Sequence, residues 1–383
     1  MRWRLGVWLL AMVLQPLVRA QTRNAWPLWW SYQQHFLSPQ GRVIDLSRHS
    51  MTTSEGQGYA LFFSLVADDA REFEHIRAWT EDHLAGGNLA KNLPAWSWGQ
   101  DAHGAWRVLD QNSASDADLW IAYSLLEAGR LWHHPAYTQT GKALLALIAR
   151  REVAQAPGLG PVLMPGPAQL FSGPGRWILN ESYAPLALLL AAAQTDPAGP
   201  WREMAANLPM WLQQASPSGF AMNWVEWSNG RFTAIASPGP AGTGAGGAGC
   251  GSYDAIRVYL WAGMTNPKTP GAGKILSIFA PMARLLAQGQ PPPEVVSPTG
   301  AVLSRNSPVG FAAALEPFLL SSGEKAAATA EQQRVNAKFD HATGLLGADP
   351  RYYDQNLALF AQGWRQRRFR FRADGGLQVP WGR

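Results

Sequence analysis

One cysteine, Cys250, stands in a chain of 383 residues, so no intramolecular disulfide can form and a large core has to supply the stability. No Cys–His pairing is visible around it, so Cys250 reads as a structural thiol. Charged residues make up only 15% of the chain, with a net charge of +5. Arg2, Arg4 and Arg19 account for three of those charges, and without them the balance falls to +2. So small an excess argues against nucleic acid as a partner. The eight histidines include no HExxH-like pair, and no Gly-rich loop carries the Lys-Ser/Thr of a phosphate cradle. No metal site and no cofactor is therefore expected. Beyond residue 20 there is no run of eighteen apolar residues, which excludes stable membrane insertion through such a helix.

The first twenty residues do have a pattern. Arg2 and Arg4 precede an apolar stretch from Leu5 to Val18, and Val18-Arg19-Ala20 ends it with small-residue cleavage chemistry. This is the pattern of a secretory signal peptide over residues 1–20. Export without disulfides fits a bacterial periplasm. Residues 21–383 are expected to form a single domain, although their number exceeds the usual size of one core.

Apolar residues recur at three- and four-residue spacing through most of that region. The spacing predicts helices near 28–37, 55–68, 71–85, 116–131, 135–152, 181–194, 200–215, 252–264, 272–288, 308–321, 323–338 and 353–363. Many are joined by short turns, as antiparallel neighbours are. Six inner helices wrapped by six outer ones would accommodate them in an all-α architecture. Between them, 86–112 has the alternation of a short hairpin and 220–234 that of a small β-ribbon. Arg365, Arg367, Arg368, Arg370 and Arg372 alternate with Phe369 and Phe371. That period of two suggests a C-terminal strand with Phe inward and Arg outward.

Acids gather where inner helices should begin. Glu55 lies in Thr53-Ser54-Glu55-Gly56-Gln57-Gly58-Tyr59, where the glycines leave room around it and Gln57 and Tyr59 stand close enough to orient it. Asp116 and Asp118 lie in Ala114-Ser115-Asp116-Ala117-Asp118, and Asp254 in Tyr253-Asp254-Ala255-Ile256-Arg257. Each can be explained blandly, as a cap, a dipole complement or a helical ion pair with Arg257. Together with Trp96, Trp98, Trp106, Trp177 and Tyr183, in a chain with 19 tryptophans, they suggest carbohydrate chemistry. Glycoside cleavage needs one carboxylic acid to protonate the leaving oxygen and one carboxylate to activate water or attack directly.

Ala114-Ser115-Asp116-Ala117-Asp118, followed by Ile121-Ala122, Ser124-Leu125-Leu126, Ala128 and Trp132, resembles the signature of glycoside hydrolase family 8. The Glu55 and Asp254 segments are similar to two further motifs of that family. Gly41-Arg42-Val43-Ile44-Asp45, Asn180-Glu181-Ser182-Tyr183 and Tyr353-Asp354-Gln355-Asn356 resemble the periplasmic endoglucanases that accompany bacterial cellulose synthase. The resemblance implies an (α/α)6 barrel and an inverting mechanism on a β-1,4-glucan such as cellulose. Glu55 would be the general acid, Asp254 the base, and Asp116 a contact to the sugar beside the scissile bond. Trp96, Trp98, Trp106, Trp177, Tyr183, Tyr253 and Arg257 would bind substrate, and the cellulose synthase complex is a candidate partner. Chitosan or xylan hydrolysis and non-catalytic glucan binding are the competing expectations.

Overall fold

Helices that bury their whole circumference alternate along the chain with helices that bury one stripe, and this sorts them into two rings. The computed structural model describes residues 26–238 and 249–382. The leader expected over 1–20 and most of the Gly-rich stretch before Cys250 lie outside them. Ser54–Val66 buries every residue except Glu55, and Ile256–Met264 buries all of its residues. With Ser115–Leu131, Leu186–Thr195, Val309–Ser321 and Tyr352–Arg365 they make six inner helices. Pro27–Phe36, Ala70–Leu84, Pro135–Arg151, Trp201–Ala215 and Lys325–Asn336 lie outside, and a sixth outer position is shared by Ala272–Ile278 and Ala280–Ala287. This is an (α/α)6 barrel. Outer and inner helices alternate in direction, so the N-termini of all six inner helices gather at one end.

The ring closes where Phe360 of the last inner helix packs against Phe62 and Phe63 of the first, with centroids 5.4 and 4.7 Å apart. The barrel axis is aromatic: Tyr59, Phe62, Trp120, Trp261 and Phe360 contact one another, mostly edge to face. Edge-to-face pairs add to the burial of their area, which holds a wide ring together without a disulfide. Along the first inner helix Glu55, Tyr59 and Phe62 climb successive turns, so Glu55 and Phe62 look toward opposite ends. At the Phe62 end the C-terminal hairpin, Arg370–Phe371 paired with Leu377–Gln378, forms a plug. Phe369 and Phe371 point into it against Phe62 and Tyr123, while Arg370 lies over Trp364. The inward-Phe alternation holds, but the strand is short because the preceding helix continues to Arg365.

The other end carries the loops. Thr52–Thr53, Ser97–Gln100 and Trp106–Asp110 form one small sheet. The ribbon expected over 220–234 is the hairpin Val225–Ser228 and Arg231–Ala234, turning at Asn229 and Gly230, both with positive φ as a two-residue primed turn requires. It adds to Arg176–Leu179, which pairs with Val225–Ser228. Three helices differ from the periodicity, one of them the Ile256–Met264 helix, which starts four residues later than predicted. Residues 181–185 are turned, with Ser182 bonded to the Asn180 amide oxygen, so that inner helix begins at Leu186. The predicted 272–288 helix breaks at Phe279, and Pro281, which has no N–H to donate, opens its second half.

Candidate active site

Glu55, Asp116 and Asp254 come together at the loop-bearing end, each delivered by the start of a different inner helix. Thr53 is extended and caps the first of these: its hydroxyl accepts the Gly56 N–H at 3.2 Å, while Ser54 N–H reaches the Trp96 carbonyl at 3.0 Å. Glu55 is left pointing out of a wholly buried helix. The flanking glycines serve packing rather than openness. A Cβ on Gly56 would stand 2.6 Å from the Tyr352 hydroxyl, and one on Gly58 would stand 3.2 Å from the Ala117 carbonyl. Gln57 does not orient Glu55. Its amide is buried in the opposite direction, accepting from Val43 N at 2.7 Å and donating to Thr80 at 2.9 Å, so it braces the 41–52 loop. Tyr59 does face the site, its buried hydroxyl close enough to Glu55 and Arg257 to feel both charges.

Asp116 accepts the Ala117 N–H at 2.8 Å, and Ser115 donates to the Met164 carbonyl at 2.6 Å. Neither makes the side-chain cap that the sequence suggested for this helix. Asp254 stands in the turn before its helix, not in the first helical turn as the periodicity predicted. The Asn223 side-chain oxygen pins that turn by accepting from Ser252 N at 2.8 Å and Ala255 N at 3.0 Å.

Arg257 is the hub. Its Nη1 donates to Glu55, and its Nη2 donates to Asp254 at 3.0 Å and lies 3.7 Å from Asp116. Ser182 takes a further bond from Nη2 at 3.0 Å, and the Tyr183 ring lies 5.7 Å from the guanidinium. The Arg257 side chain is 4% exposed, whereas Glu55 and Asp254 retain 20% and 26%. A buried arginine thus holds two accessible carboxyls on its two terminal nitrogens, separated by its own width. Burial pushes the Glu55 carboxyl up to about 7; Arg257 pulls it back, and the neighbouring Asp116 and Asp254 push it further up. Burial likewise raises Asp116 to about 6, against Arg257. Asp254 is also raised by burial, with Arg257, Trp224 and Asn180 opposing. The positive ends of the three helices that deliver these acids favour their anionic forms, but three acids in one buried space cannot all ionise cheaply.

The predicted aromatic contacts divide. Trp96 lies beside the Glu55 helix start through its carbonyl. Tyr183 packs on Trp224 at 5.9 Å, and Trp224 stacks on Phe171. Tyr253 is half-buried between Phe311 and Tyr353, its carbonyl accepting the Tyr353 hydroxyl at 2.5 Å. Trp98 and Trp106 do not touch the acids. They stack on each other at 4.9 Å with Arg42 packed 4.5 Å from both rings, and Trp106 is 44% exposed, an aromatic platform one strand away. Trp177 lies in the second sheet opposite Trp227. Sequence reasoning missed Ser182, Trp224 and Tyr353 as parts of the site. Ser182 and Tyr353 lie in segments singled out by resemblance, one just before an inner helix and the other in the first turn of one, which was the available signal. Glu181 is buried beside them; Ser216 and Met222 N donate to it, and burial pushes it up to about 8, so it ties the 216–222 loop down as a neutral acid. Cys250 is buried and its thiol is pushed up by burial, as befits a structural role. Among the described residues no group of three or more His, Cys, Asp or Glu side chains is disposed to hold a metal ion.

Carboxyls held apart at the mouth of an (α/α)6 barrel, among aromatic faces, define a glycoside hydrolase. The chain belongs to glycosyl hydrolases family 8, whose profile matches residues 4–367. It is 46% identical over 357 residues to an endoglucanase of Xanthomonas axonopodis pv. citri, covering 93% of this chain and 89% of that one. It is 40% identical over 375 residues to an endoglucanase of Escherichia coli K12, covering 98% and 96%. The crystal structure of an endo-1,4-D-glucanase from Vibrio fischeri superimposes with a TM-score of 0.84 at 38% identity, covering 93% of this chain and 99% of that one.

Proposed function

We propose that residues 21–383 act as one catalytic domain, an endo-1,4-β-glucanase that cleaves cellulose with inversion. Glu55, protonated near neutral pH, gives its proton to the glycosidic oxygen. Asp254 takes a proton from water approaching the opposite face of the sugar, and that water attacks the anomeric carbon as the leaving chain departs. Asp116 accepts hydrogen bonds from the sugar beside the scissile bond. Arg257 holds the acid and the base in register, and Tyr183, Tyr253 and Trp96 line the sugar path. Trp98 and Trp106, with Trp177 on the other side, extend it along the chain. The observation that carries this reading is the Arg257 bridge: two partly exposed carboxyls, one raised to about 7, stand on opposite nitrogens of a single buried guanidinium. An inverting pair needs a gap of roughly 6.5–9.5 Å for its water, more than directly hydrogen-bonded carboxyls would leave.

The glucan assignment is supported by the relatives' printed activities and by the aromatic platform. Residues 1–20 act as a signal peptide that delivers the enzyme to the periplasm, where it trims cellulose during synthesis and export beside the synthase complex. The test is reducing-end release from carboxymethyl-cellulose, with xylan and chitosan alongside, for wild type and Glu55→Gln, together with NMR of the newborn anomer. Loss of glucan cleavage in the variant and an inverted product agree with the reading. A retained anomer, or activity confined to xylan or chitosan, overturns it.

A further inference from the structure

Behind Asp116 two more acids face each other in a closed space. Asp118, which the sequence suggested as a dipole complement, is fully buried, and neither of its carboxyl oxygens receives a hydrogen bond from a donor. The side chain it meets is Glu152, also fully buried, at the end of the Pro135–Arg151 helix. Glu152 accepts the Ser113 hydroxyl on Oε1, while its Oε2 has no donor. The other charge acting on both is Asp116, an acid again, and among the described residues no cation faces either of them. Two ionised carboxylates here would leave three oxygens in a dry interior with nothing to accept from, and a proton between them supplies the missing donor.

We propose that Asp118 and Glu152 share that proton as a carboxyl pair whose task is to position Asp116. The pair is laced to the segment that presents Asp116. Ser113 donates to the Glu152 side chain, and the Glu152 carbonyl accepts Met164 N at 2.7 Å. The Met164 and Pro165 carbonyls in turn take the hydroxyl and the N–H of Ser115, the residue before Asp116. Asp118 holds the same helix turn from inside. Burial pushes Asp118 well above the carboxylate range and Glu152 to about 7, so Asp118 carries the proton and Glu152 receives it. The role assigned to the pair rests on the reading of Asp116 as a sugar contact; the shared proton does not.

Infrared spectroscopy of the full chain tests the proton. At pH 8 the difference spectrum of wild type minus Asp118→Asn should contain a buried carboxylic-acid C=O band, Glu181 cancelling because it is present in both proteins; a difference spectrum without that band overturns the shared proton. Kinetics on carboxymethyl-cellulose test the positioning. Asp118→Asn retains an N–H donor toward Glu152 and should keep most of kcat, whereas Asp118→Ala should lose about a hundredfold in kcat with KM little changed, the cost of a misplaced catalytic contact. Glu152→Gln still offers Asp118 an acceptor and should also keep most of kcat. Equal losses in Asp118→Asn and Asp118→Ala, or a loss in Glu152→Gln as large as that in Asp118→Ala, reduce the pair to a brace and overturn the positioning role. Inactivity of the wild type on every glucan removes the reading of the site instead, and the infrared result still decides the shared proton.

Discussion

Replacing Glu55 with Gln should make the protein inactive and, at alkaline pH, more stable. Burial holds the Glu55 proton up to about pH 7, whereas the unfolded chain releases it near the ordinary value of 4.5. Between those two values the folded state binds the proton that the unfolded state has lost, so unfolding becomes easier as pH rises. The contribution is fully present below about 4.5 and gone above 7. At about 1.4 kcal/mol per pH unit the difference amounts to roughly 3 kcal/mol. Glutamine carries no titrating proton and occupies the same volume, so the variant escapes that loss. Arg257 gives up one partner but keeps Asp254 and Asp116, which trims the gain without reversing it. Thermal unfolding of wild type and Glu55→Gln at pH 4.5 and pH 8, with turnover of carboxymethyl-cellulose, is the assay. The variant's Tm relative to wild type should rise by a few degrees between the two pH values, with turnover abolished. Acids away from Glu55 titrate in both proteins and cancel in the comparison, whereas Asp116 and Asp254 lose a neighbouring negative charge in the variant, which adds to its gain at alkaline pH. A Tm difference that is the same at both pH values refutes the electrostatic reasoning, and retained turnover refutes the acid assignment.

The wild-type pH profile of kcat/KM should be a narrow bell, falling below about 6 as Asp116 and its neighbours protonate and above about 7 as Glu55 ionises; a flat profile from 5 to 8 would contradict both. Gly263→Ala should destabilise by about 1–3 kcal/mol in denaturant titration, although alanine is the better helix former, because its Cβ would lie 2.2 Å from the Phe318 backbone nitrogen on the neighbouring inner helix. Trp106→Ala should raise KM severalfold on long glucans and much less on short oligosaccharides, with Tm nearly unchanged, since the ring is half exposed and stacks at the platform rather than in the core; a large fall in kcat would place it in the chemistry instead.

Much of this molecule could be read before folding was considered. Helical periodicity is a local property, and it located each inner and outer helix to within a few residues, failing where Pro281 or the turn at Asn180 interrupted the pattern. Glu55, Asp116 and Asp254 were legible because each sits in a short motif at a helix start, and a barrel of alternating helices must bring such starts to one end. What each neighbour does was not legible. Gly56 and Gly58 looked like clearance around an acid and prove to be contact points for Tyr352 and the Ala117 backbone. Gln57 looked like an orienting group and braces a loop on the far side of its helix. Asp118 had the look of a surface dipole partner and lies sealed against Glu152. The sequence by itself determined the periods and the acids carried at each helix end, because these depend on residues a few positions apart. Only the tertiary structure decided which acids are dry, which share an arginine and which share a proton, because burial and pairing are set by side chains that meet from distant parts of the chain.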